Sequence, residues 1–331
     1  MALYPWQQQA WQQLNQQRRQ WPHALLLSGP QGIGKLDFAR LLAQSLLCEA
    51  PQADHQPCGQ CPACNWFGAG SHPDFRELAP ASADEDDNKD GDAGKKKRAV
   101  QQINIKQVRE LNDFVNLSSH RQGYRVTLLH PAEALNHAAA NALLKTLEEP
   151  APGAVFIVIS HRLSRVLPTI RSRCRLYPLP TPNAGQSQAW LAQQAVADAG
   201  KLLARAGQLP LAAKALADSD NLPAWQSLLE TLAAARGFDP LKTAESLQKL
   251  ELPQVIGWLQ KWVYDLLSCK LSGQVRNHPD LLDALRQHAA RLPLQGLLDY
   301  QKQLQTAQRS AHHPLNVRLA IEALLLGYTQ L

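Results

Sequence analysis

Over the first 180 residues, short apolar runs alternate with longer segments in which apolar residues recur every three or four positions. The short runs predict strands, and the longer period predicts amphipathic helices. We expect strands at 24–28, 125–129, 155–159 and 175–179, and helices at 6–19, 35–47, 105–115, 133–147 and 163–170. Because strands that alternate with helices are typical of a parallel, doubly wound sheet, residues 1–180 are predicted to form an α/β domain.

The alternation ends at three closely spaced prolines, Pro178, Pro180 and Pro182, which indicate a hinge. Beyond residue 187 the sequence shows only helical periodicity, interrupted twice. This pattern predicts a small all-α domain at 181–221 and a larger all-α domain at 222–331.

A stripe of large apolar residues with helical spacing lies in the larger helical domain, at Val255, Trp258, Trp262 and Leu266. Such a stripe is typical of a helix that buries one face. We therefore expect it to pack in the core or at an oligomer contact rather than to stack on bases.

Residues 82–99 fit neither a helix nor a strand. Six acidic residues are followed by three lysines and an arginine, with glycines and no apolar residue larger than alanine. A segment of this composition cannot bury a core of its own. We predict a mobile, solvated loop inserted into the α/β domain.

The overall composition limits the classes of protein to which this chain can belong. Hydrophobic residues make up 45% of the 331 residues and charged residues 19%, as in ordinary globular proteins. The net charge of +6 permits contact with nucleic acid without requiring it. Apolar runs are too short for a membrane span, and the first residues do not resemble a signal peptide, so we expect a cytoplasmic protein with no membrane partner.

The turn after the first predicted strand resembles a phosphate-binding loop. Residues 29–35 are Gly-Pro-Gln-Gly-Ile-Gly-Lys, which matches the frame G-x-x-x-x-G-K between a strand and a helix. In such a turn, backbone N–H groups and the helix N-terminus form a cradle for an anion. The residues that would form it are Gly29, Gly32, Gly34 and Lys35.

The groups that an ATPase adds to this loop are missing. Leu36 follows Lys35 and has no hydroxyl to hold Mg²⁺, and the strand at 125–129 is followed by His130 and Pro131 instead of an acidic pair. Neither residue can replace an aspartate as a ligand of a hard cation. We predict a vestigial loop that binds no ATP productively, and we leave weak nucleotide binding open.

Four of the six cysteines lie close together in the sequence, at Cys48, Cys58, Cys61 and Cys64. Six cysteines are too few for a disulfide scaffold in a chain of this length, and such clustering in a cytosolic protein indicates a metal site. Four thiolates suit tetrahedral zinc, whose binding would order a loop with little core of its own. We expect a structural Zn²⁺ ion held by these four side chains.

Other cysteine and histidine residues allow alternatives to this site. An iron–sulfur cluster is a rival, because the spacing C-x₂-C-x₂-C also opens the bacterial ferredoxin run, but that run places its next cysteine where this sequence has Gly68. His55 and His72 could each replace one thiolate, although we expect both to be exposed to solvent. Cys174 and Cys269 are expected to be ordinary buried cysteines.

The order of strand, phosphate loop, helix and cysteine loop is combined with three further segments: Ser-His-Pro-Asp at 71–74, Asn-Ala-Leu-Leu-Lys-Thr-Leu-Glu-Glu-Pro at 141–150, and Ser-Arg-Cys at 172–174. With these the chain resembles the delta-prime family of bacterial DNA polymerase III clamp-loader subunits. The segment at 141–150 is the most specific of the three. The resemblance covers residues 1–180 strongly and the helical remainder more weakly.

The resemblance implies an architecture. Residues 1–180 would be an AAA+ domain with a zinc-binding insertion at 48–64, and the two helical domains would be a lid at 181–221 and an oligomerising collar at 222–331. Family members that hydrolyse ATP also carry a lid-helix arginine, which is absent from the Gly-Gln-Leu-Pro segment at 207–210.

The resemblance also implies a role. The chain would be a rigid, non-hydrolysing stator, a component of the DNA polymerase III holoenzyme that is no enzyme on its own. Its partners would be the delta and gamma/tau ATPase subunits and, through the complex, primed DNA and the sliding clamp. Arg173, in the Ser-Arg-Cys segment, would project into the ATP site of the adjacent subunit and stabilise charge there.

Two other functions compete with this one. An autonomous AAA+ ATPase is opposed by Leu36, His130 and Pro131. A zinc-dependent DNA-binding module is opposed by the scarcity of basic residues around the cysteines, since phosphate contacts need lysine and arginine.

Overall fold

A computed structural model describes residues 3–18, 21–80, 102–116, 123–234, 237–311 and 316–331. The described residues fall into two compact units, one up to Gln186 and one from Ser187 to Leu331. The charged segment predicted at 82–99 lies outside the described residues. The division of the second unit into two domains at residue 221 stays a prediction.

The first unit is built on a parallel sheet of five strands. They are β1 (Ala24–Ser28), β2 (Phe75–Leu78), β3 (Arg125–Leu129), β4 (Ala154–Ser160) and β5 (Arg175–Pro178), in the order β2-β3-β4-β1-β5. Every residue of β1, β3 and β4 is buried, because helices cover both faces of a doubly wound sheet. The predicted α/β fold is confirmed.

The helices of this unit are α1 (Gln8–Gln16), α2 (Lys35–Leu47), α3 (Pro62–Gly68), α4 (Ile105–Asn116), α5 (His137–Glu148) and α6 (Pro168–Arg171), with 3₁₀ turns at Pro5–Gln7, Ala132–Ala134 and Leu163–Arg165. Side-chain caps fix where two of them begin. Asn136 accepts a hydrogen bond from the N–H of Ala139 at the start of α5, and Asn104 accepts one from the N–H of Gln107 at the start of α4.

The structure differs from the predicted elements in five places. The helix expected at 6–19 opens with a 3₁₀ turn at Pro5–Gln7, and its α-helical part ends at Gln16. The helix expected at 133–147 begins only at His137, because a 3₁₀ turn and the Asn136 cap precede it. The helix expected at 163–170 is split, since Pro168 holds Leu167 in an extended conformation. α3 and β2 were not predicted at all; β2 has two exposed polar residues among its four and shows no apolar run.

The second unit is entirely helical. Its helices are α7 (Ala184–Gln193, which begins just before the unit), α8 (Ala199–Arg205), α9 (Pro210–Ala217), α10 (Leu222–Ala233), α11 (Pro240–Leu247), α12 (Leu252–Ser272), α13 (Leu282–Arg291), α14 (Leu294–Ser310) and α15 (Val317–Thr329), with a 3₁₀ turn at Pro279–Leu281. The stripe on α12 is buried in the core of this unit, as predicted, and the Trp258 ring stacks on Trp225. Among the described residues, no helix combines the length and the apolar character needed to cross a bilayer.

A buried carboxylate organises the loop after α12. Asp265 and His278 are both completely buried, and Asp265 accepts hydrogen bonds from the backbone N–H groups of Arg276, Asn277 and His278. The His278 Nδ1 atom lies 2.9 Å from Asp265 Oδ2. Burial alone would raise the pKa of Asp265, but these hydrogen bonds outweigh it and lower the pKa.

We predict that Asp265→Ala destabilises the helical unit by about 3 kcal/mol or more, because it leaves several buried donors without an acceptor. Denaturant unfolding monitored by tryptophan fluorescence measures the change. The exposed Asp283, on α13, is the matched control, and Asp283→Ala should shift stability by less than about 0.5 kcal/mol. Equal stabilities of the two variants would show that Asp265 has no such role.

The same contacts predict a pH dependence. Because the folded-state pKa of Asp265 lies below the unfolded value, its contribution is present above the ordinary aspartate pKa and is lost as the pH falls through the depressed value. The acid sensitivity of unfolding should therefore be smaller in Asp265→Ala than in the unaltered chain.

Candidate functional site

The phosphate loop connects β1 to α2 and has the backbone path that its glycines permit. Gly29, Gly32 and Gly34 all have positive φ angles, of 150°, 92° and 80°, which other residues rarely adopt. A Cβ atom at Gly34 would also lie only 2.4 Å from the ring of Tyr4. The strand–loop–helix context expected for this segment is therefore present.

The lysine of the loop is turned back onto the loop itself. Lys35 Nζ donates hydrogen bonds to the carbonyl oxygens of Gly29 at 2.7 Å and Pro30 at 2.6 Å, and the residue is 3% exposed. Burial lowers the pKa of Lys35 to about 8, partly opposed by the carboxylate of Glu133. The ammonium that would meet a phosphate is engaged by backbone carbonyls.

The segment before α1 packs directly on this loop. Trp6 Nε1 donates to Ile33 O at 3.0 Å, and Gln7 Nε2 donates to the carbonyl oxygens of Ile33 and Gly34, both at 2.9 Å. The Tyr4 hydroxyl donates to Asp37 Oδ2 at 2.8 Å. Sequence analysis missed this contact; the only signal for it was a cluster of aromatic residues next to the first helix.

The side chains at the end of β3 pair with each other. His130 Nε2 lies 2.8 Å from Glu77 Oε1, and Arg40 Nη2 donates to the same oxygen at 2.6 Å. Burial would raise the pKa of Glu77, but hydrogen bonds from His130 and Arg40 outweigh it and lower the pKa to about 2. His130 thus joins a hydrogen-bonded network with Glu77 and Arg40 at the position where an ATPase places an acidic residue.

Glu133 is an acidic residue near the loop that sequence analysis missed. Its Oε1 atom accepts hydrogen bonds from the backbone N–H groups of His161 at 2.9 Å and Arg162 at 3.1 Å, at the end of β4. The carboxylate interacts electrostatically with Lys35 and His161. Glu133 follows β3 and His161 follows β4, so both lie near Lys35 at the carboxyl ends of the parallel strands.

The four cysteines converge as predicted. Cys48 follows α2, and Cys61 caps α3 by accepting a hydrogen bond from the N–H of Cys64. All four sulfur atoms lie within 4.8 Å of one another, and the Cys48–Cys61 and Cys58–Cys64 pairs are each 3.9 Å apart. Four sulfurs around one ion at a metal–sulfur distance of about 2.3 Å would be about 3.8 Å apart. The cluster can therefore hold a metal ion.

The electrostatics of the cluster also fit a cation. Backbone N–H groups of Gln60 and Cys61 donate to Cys58 Sγ and lower the pKa of that thiol to about 6. Burial instead raises the pKa of Cys64 to about 12, and burial also raises the pKa of Cys48. Ionising all four thiols in so small a volume requires a positive ion at their centre.

The histidines near the cluster differ from the prediction. His72, expected to be exposed, is 3% exposed, because its Nδ1 accepts a hydrogen bond from the N–H of Asp74 at 3.0 Å and its ring packs edge-on against Trp66. His55 is half-buried in a left-handed conformation. Cys174 and Cys269 are buried, as expected.

Arg173 follows the short helix α6 and is half-buried. Its Nη2 atom forms an ion pair with Glu148, and Nη1 donates to Thr169 O at 2.9 Å and to Ser172 Oγ at 3.3 Å. The nearby Arg165 is exposed. Arg173 is thus held at the surface by contacts with two separate helices.

Comparison with known proteins decides the family. A family described as "DNA polymerase III, delta subunit" matches residues 6–183, and one described as "DNA polymerase III, delta subunit, C terminal" matches residues 219–330. DNA polymerase III subunit delta' of Pseudomonas aeruginosa is 38% identical over 82% of this chain and 79% of the relative. The chain belongs to the delta-prime family of DNA polymerase III subunits. The delta' subunit of Escherichia coli is 33% identical, covering 90% of this chain and 87% of the relative.

Solved structures with a similar course of the chain are more distant. A gamma subunit-related protein of DNA polymerase III from Thermotoga maritima covers 95% of this chain and 97% of its own, with 18% identity and a TM-score of 0.47. The Thermotoga maritima RuvB Holliday junction branch migration motor covers 80% of this chain and 74% of its own, with 14% identity and a TM-score of 0.39.

Membership of the delta-prime family confirms the resemblance inferred from the sequence. The AAA+ type of the α/β domain stays what that resemblance implies. Membership leaves the roles of individual residues to be argued from their contacts. The phosphate loop, the cysteine cluster and Arg173 are the features from which a function is proposed below.

Proposed function

We propose that the chain is a non-hydrolysing stator subunit of the DNA polymerase III clamp loader. It assembles in the cytoplasm with the delta subunit and the gamma/tau ATPase subunits, helps load the sliding clamp onto primed DNA, and supplies Arg173 to a neighbouring subunit's ATP. The observation that carries the proposal is the phosphate loop whose lysine is bonded to its own carbonyl oxygens. Relatedness to the tau subunit of Bacillus subtilis, 30% identical over 70% of this chain, supports the choice of partners.

The contacts of the loop support the absence of hydrolysis. A bound nucleotide would have to displace Lys35 from Gly29 and Pro30, and the loop would still offer no hydroxyl at Leu36. At the end of β3, His130 and Pro131 stand where an ATPase has the acidic pair for Mg²⁺ and the attacking water. The carboxylate of Glu77 contacts His130 and Arg40. One oxygen of Glu133 accepts hydrogen bonds from the backbone N–H groups of His161 and Arg162. The site thus has an engaged lysine in place of a free phosphate-binding group, and it lacks the hydroxyl and the acidic pair that hydrolysis needs.

Contacts within the helical unit support the rigidity of a stator. Arg205, at the end of α8, pairs with Asp280 at 2.9 Å, and Lys261 on α12 donates to the Arg205 carbonyl at 2.6 Å. Both cations also lie over the ring of Trp225 on α10, at 5.8 and 5.0 Å. These contacts join the proposed lid at 181–221 to the proposed collar at 222–331 through largely buried charges, which resists bending between them.

The cysteine cluster is proposed to hold a structural zinc ion. Four thiolates without a histidine and without an open position are typical of structural rather than catalytic zinc. When bound, the ion would neutralise the thiolates and tie the end of α2 to α3. Its role is to order the insertion at 48–64.

We predict that the isolated chain hydrolyses no ATP above background. The measurement is a steady-state phosphate-release assay with Mg²⁺, and Lys35→Ala is the control. Any trace activity should be unchanged in Lys35→Ala, because it would come from a contaminant. Turnover of about 1 per second or more that disappears in Lys35→Ala would refute the proposal.

We predict one zinc ion per chain and little iron by elemental analysis of purified protein. Cys61→Ser should lose the metal and make the loop at 48–64 sensitive to proteolysis while the sheet stays folded, because it removes one proposed ligand. The serine hydroxyl can still cap α3, so the loss reports on the metal rather than on the cap. Cys174→Ser is the matched control and should keep the metal. A brown, iron-containing protein, or full zinc content in Cys61→Ser, would contradict the assignment.

We predict that Arg173→Ala leaves the chain folded and the complex assembled but slows DNA-stimulated ATP hydrolysis and clamp loading. A trans arginine is worth roughly 10³ or more in rate at the site it serves. The loss in the whole complex is smaller, because other ATP sites would use other subunits' arginines. Arg173→Lys should rescue poorly, since an ammonium cannot reproduce the planar fork of a guanidinium.

The control for this experiment is Arg165→Ala, a nearby exposed arginine in a 3₁₀ turn. It should be close to neutral in both assays. If the two alanine variants load clamps at the same rate, Arg173 is an ordinary surface arginine and the proposed mechanism is wrong.

A further inference from the structure

The ion pair between Arg173 and Glu148 joins two helices that are separate in the sequence. Glu148 is the last residue of α5, whereas Arg173 follows the end of α6. The carboxylate binds Nη2, and the backbone oxygen of Thr169 and the hydroxyl of Ser172 accept from Nη1. The contacts named here use three of the five N–H groups of the guanidinium.

The position of Glu148 is not explained by the stability of its own helix. The C-terminal end of a helix carries a partial negative charge, so a carboxylate in the last turn is unfavourable there. Glu149 follows as the C-cap residue and adds a second negative charge. Cations are favourable at this helix end: Lys145 lies in the last turn of α5, and Arg173 forms the ion pair with Glu148.

The pair is also poorly placed to stabilise the fold. The side chains of Arg173 and Glu148 are 31% and 48% exposed, and ion pairs of such exposure contribute little to stability. What the contact does accomplish is to fix a long, flexible side chain. An unrestrained arginine loses rotamer freedom whenever it binds an anion, and a guanidinium held in advance loses less.

We propose that Glu148 is a positioning residue for Arg173: its carboxylate binds one N–H group of Nη2 and orients the second N–H group of Nη2 toward the phosphate of a neighbouring subunit's ATP. The Nε atom is buried and takes no part in this contact. This inference rests on the proposed trans role of Arg173. Glu148 itself contacts no nucleotide. It acts by holding Arg173 in the conformation from which transition-state charge can be met without reorganisation.

The test uses the reconstituted clamp-loader complex with the full chain. The kcat and the KM for ATP are measured in DNA-stimulated hydrolysis for Glu148→Ala, Glu148→Gln, Arg173→Ala and the double variant Glu148→Ala/Arg173→Ala. Glu149→Ala is the matched control, because Glu149 is the adjacent exposed carboxylate and has no part in the ion pair. Thermal unfolding of each variant chain checks that the fold is intact.

We expect Glu148→Ala to lower kcat by about tenfold or more at the served site, with the KM for ATP unchanged within about twofold. Glu148→Gln should lose less, since a neutral amide still accepts a hydrogen bond but lacks the charge. The double variant should be no slower than Arg173→Ala, because Glu148 has nothing left to position. Glu149→Ala should behave like the unaltered chain.

The outcomes separate this inference from the proposed function. If Arg173→Ala slows the complex but Glu148→Ala does not, the positioning role is overturned and the trans arginine stands. If the two losses multiply in the double variant, Glu148 acts independently and the positioning role is again overturned. If Arg173→Ala itself has no effect, both proposals fall together.

Discussion

The hydrogen bonds from Lys35 to the carbonyl oxygens of Gly29 and Pro30 are the interaction on which the functional account depends. A buried ammonium needs acceptors, and in a phosphate loop the acceptors are either the phosphate or the loop itself. Trp6 and Gln7 occupy the carbonyl oxygens of Ile33 and Gly34 from the other side. The lysine and two carbonyl oxygens of the loop are therefore engaged by contacts within the chain, and the proposed function assigns the contact with nucleotide to Arg173 instead.

The cysteine cluster differs from the phosphate loop, because its side chains are arranged as ligands for an ion. Its four sulfur atoms lie within 4.8 Å of one another, a spacing that suits a single metal ion, and the N–H groups around Cys58 favour a thiolate. The proposed zinc ion would balance the negative charge of the thiolates. Helix α2 connects the two sites: it begins at Lys35 of the phosphate loop and ends immediately before Cys48 of the cysteine cluster.

The sequence predicted those features that depend on local pattern. The buried strands β1, β3 and β4, the glycine turn and the cysteine spacing all follow from short-range periodicity or from the geometry of one ligand set. β2 was not predicted, because it lies at the edge of the sheet and its polar residues Arg76 and Glu77 interrupt the apolar run that would indicate a strand. The contacts of Gln7 with the loop and of Glu148 with Arg173 bridge 26 and 25 positions in the chain, and no local signal reports such pairs. His72 was misjudged for a different reason: its partners Trp66 and Asp74 are close to it in the sequence, but the sequence does not reveal the local fold that buries the imidazole between them.

The measurement that tests the central claim most directly is a structure of the assembled clamp loader with a non-hydrolysable ATP analogue. The account predicts that Lys35 stays bonded to its own loop, which holds no nucleotide. It also predicts that Arg173 lies about 2.7–2.9 Å from a γ-phosphate oxygen bound by the adjacent subunit, as in charge-assisted hydrogen bonds. Nucleotide bound in this chain's loop, with Lys35 turned toward its phosphates and Arg173 far from any nucleotide, would contradict the account.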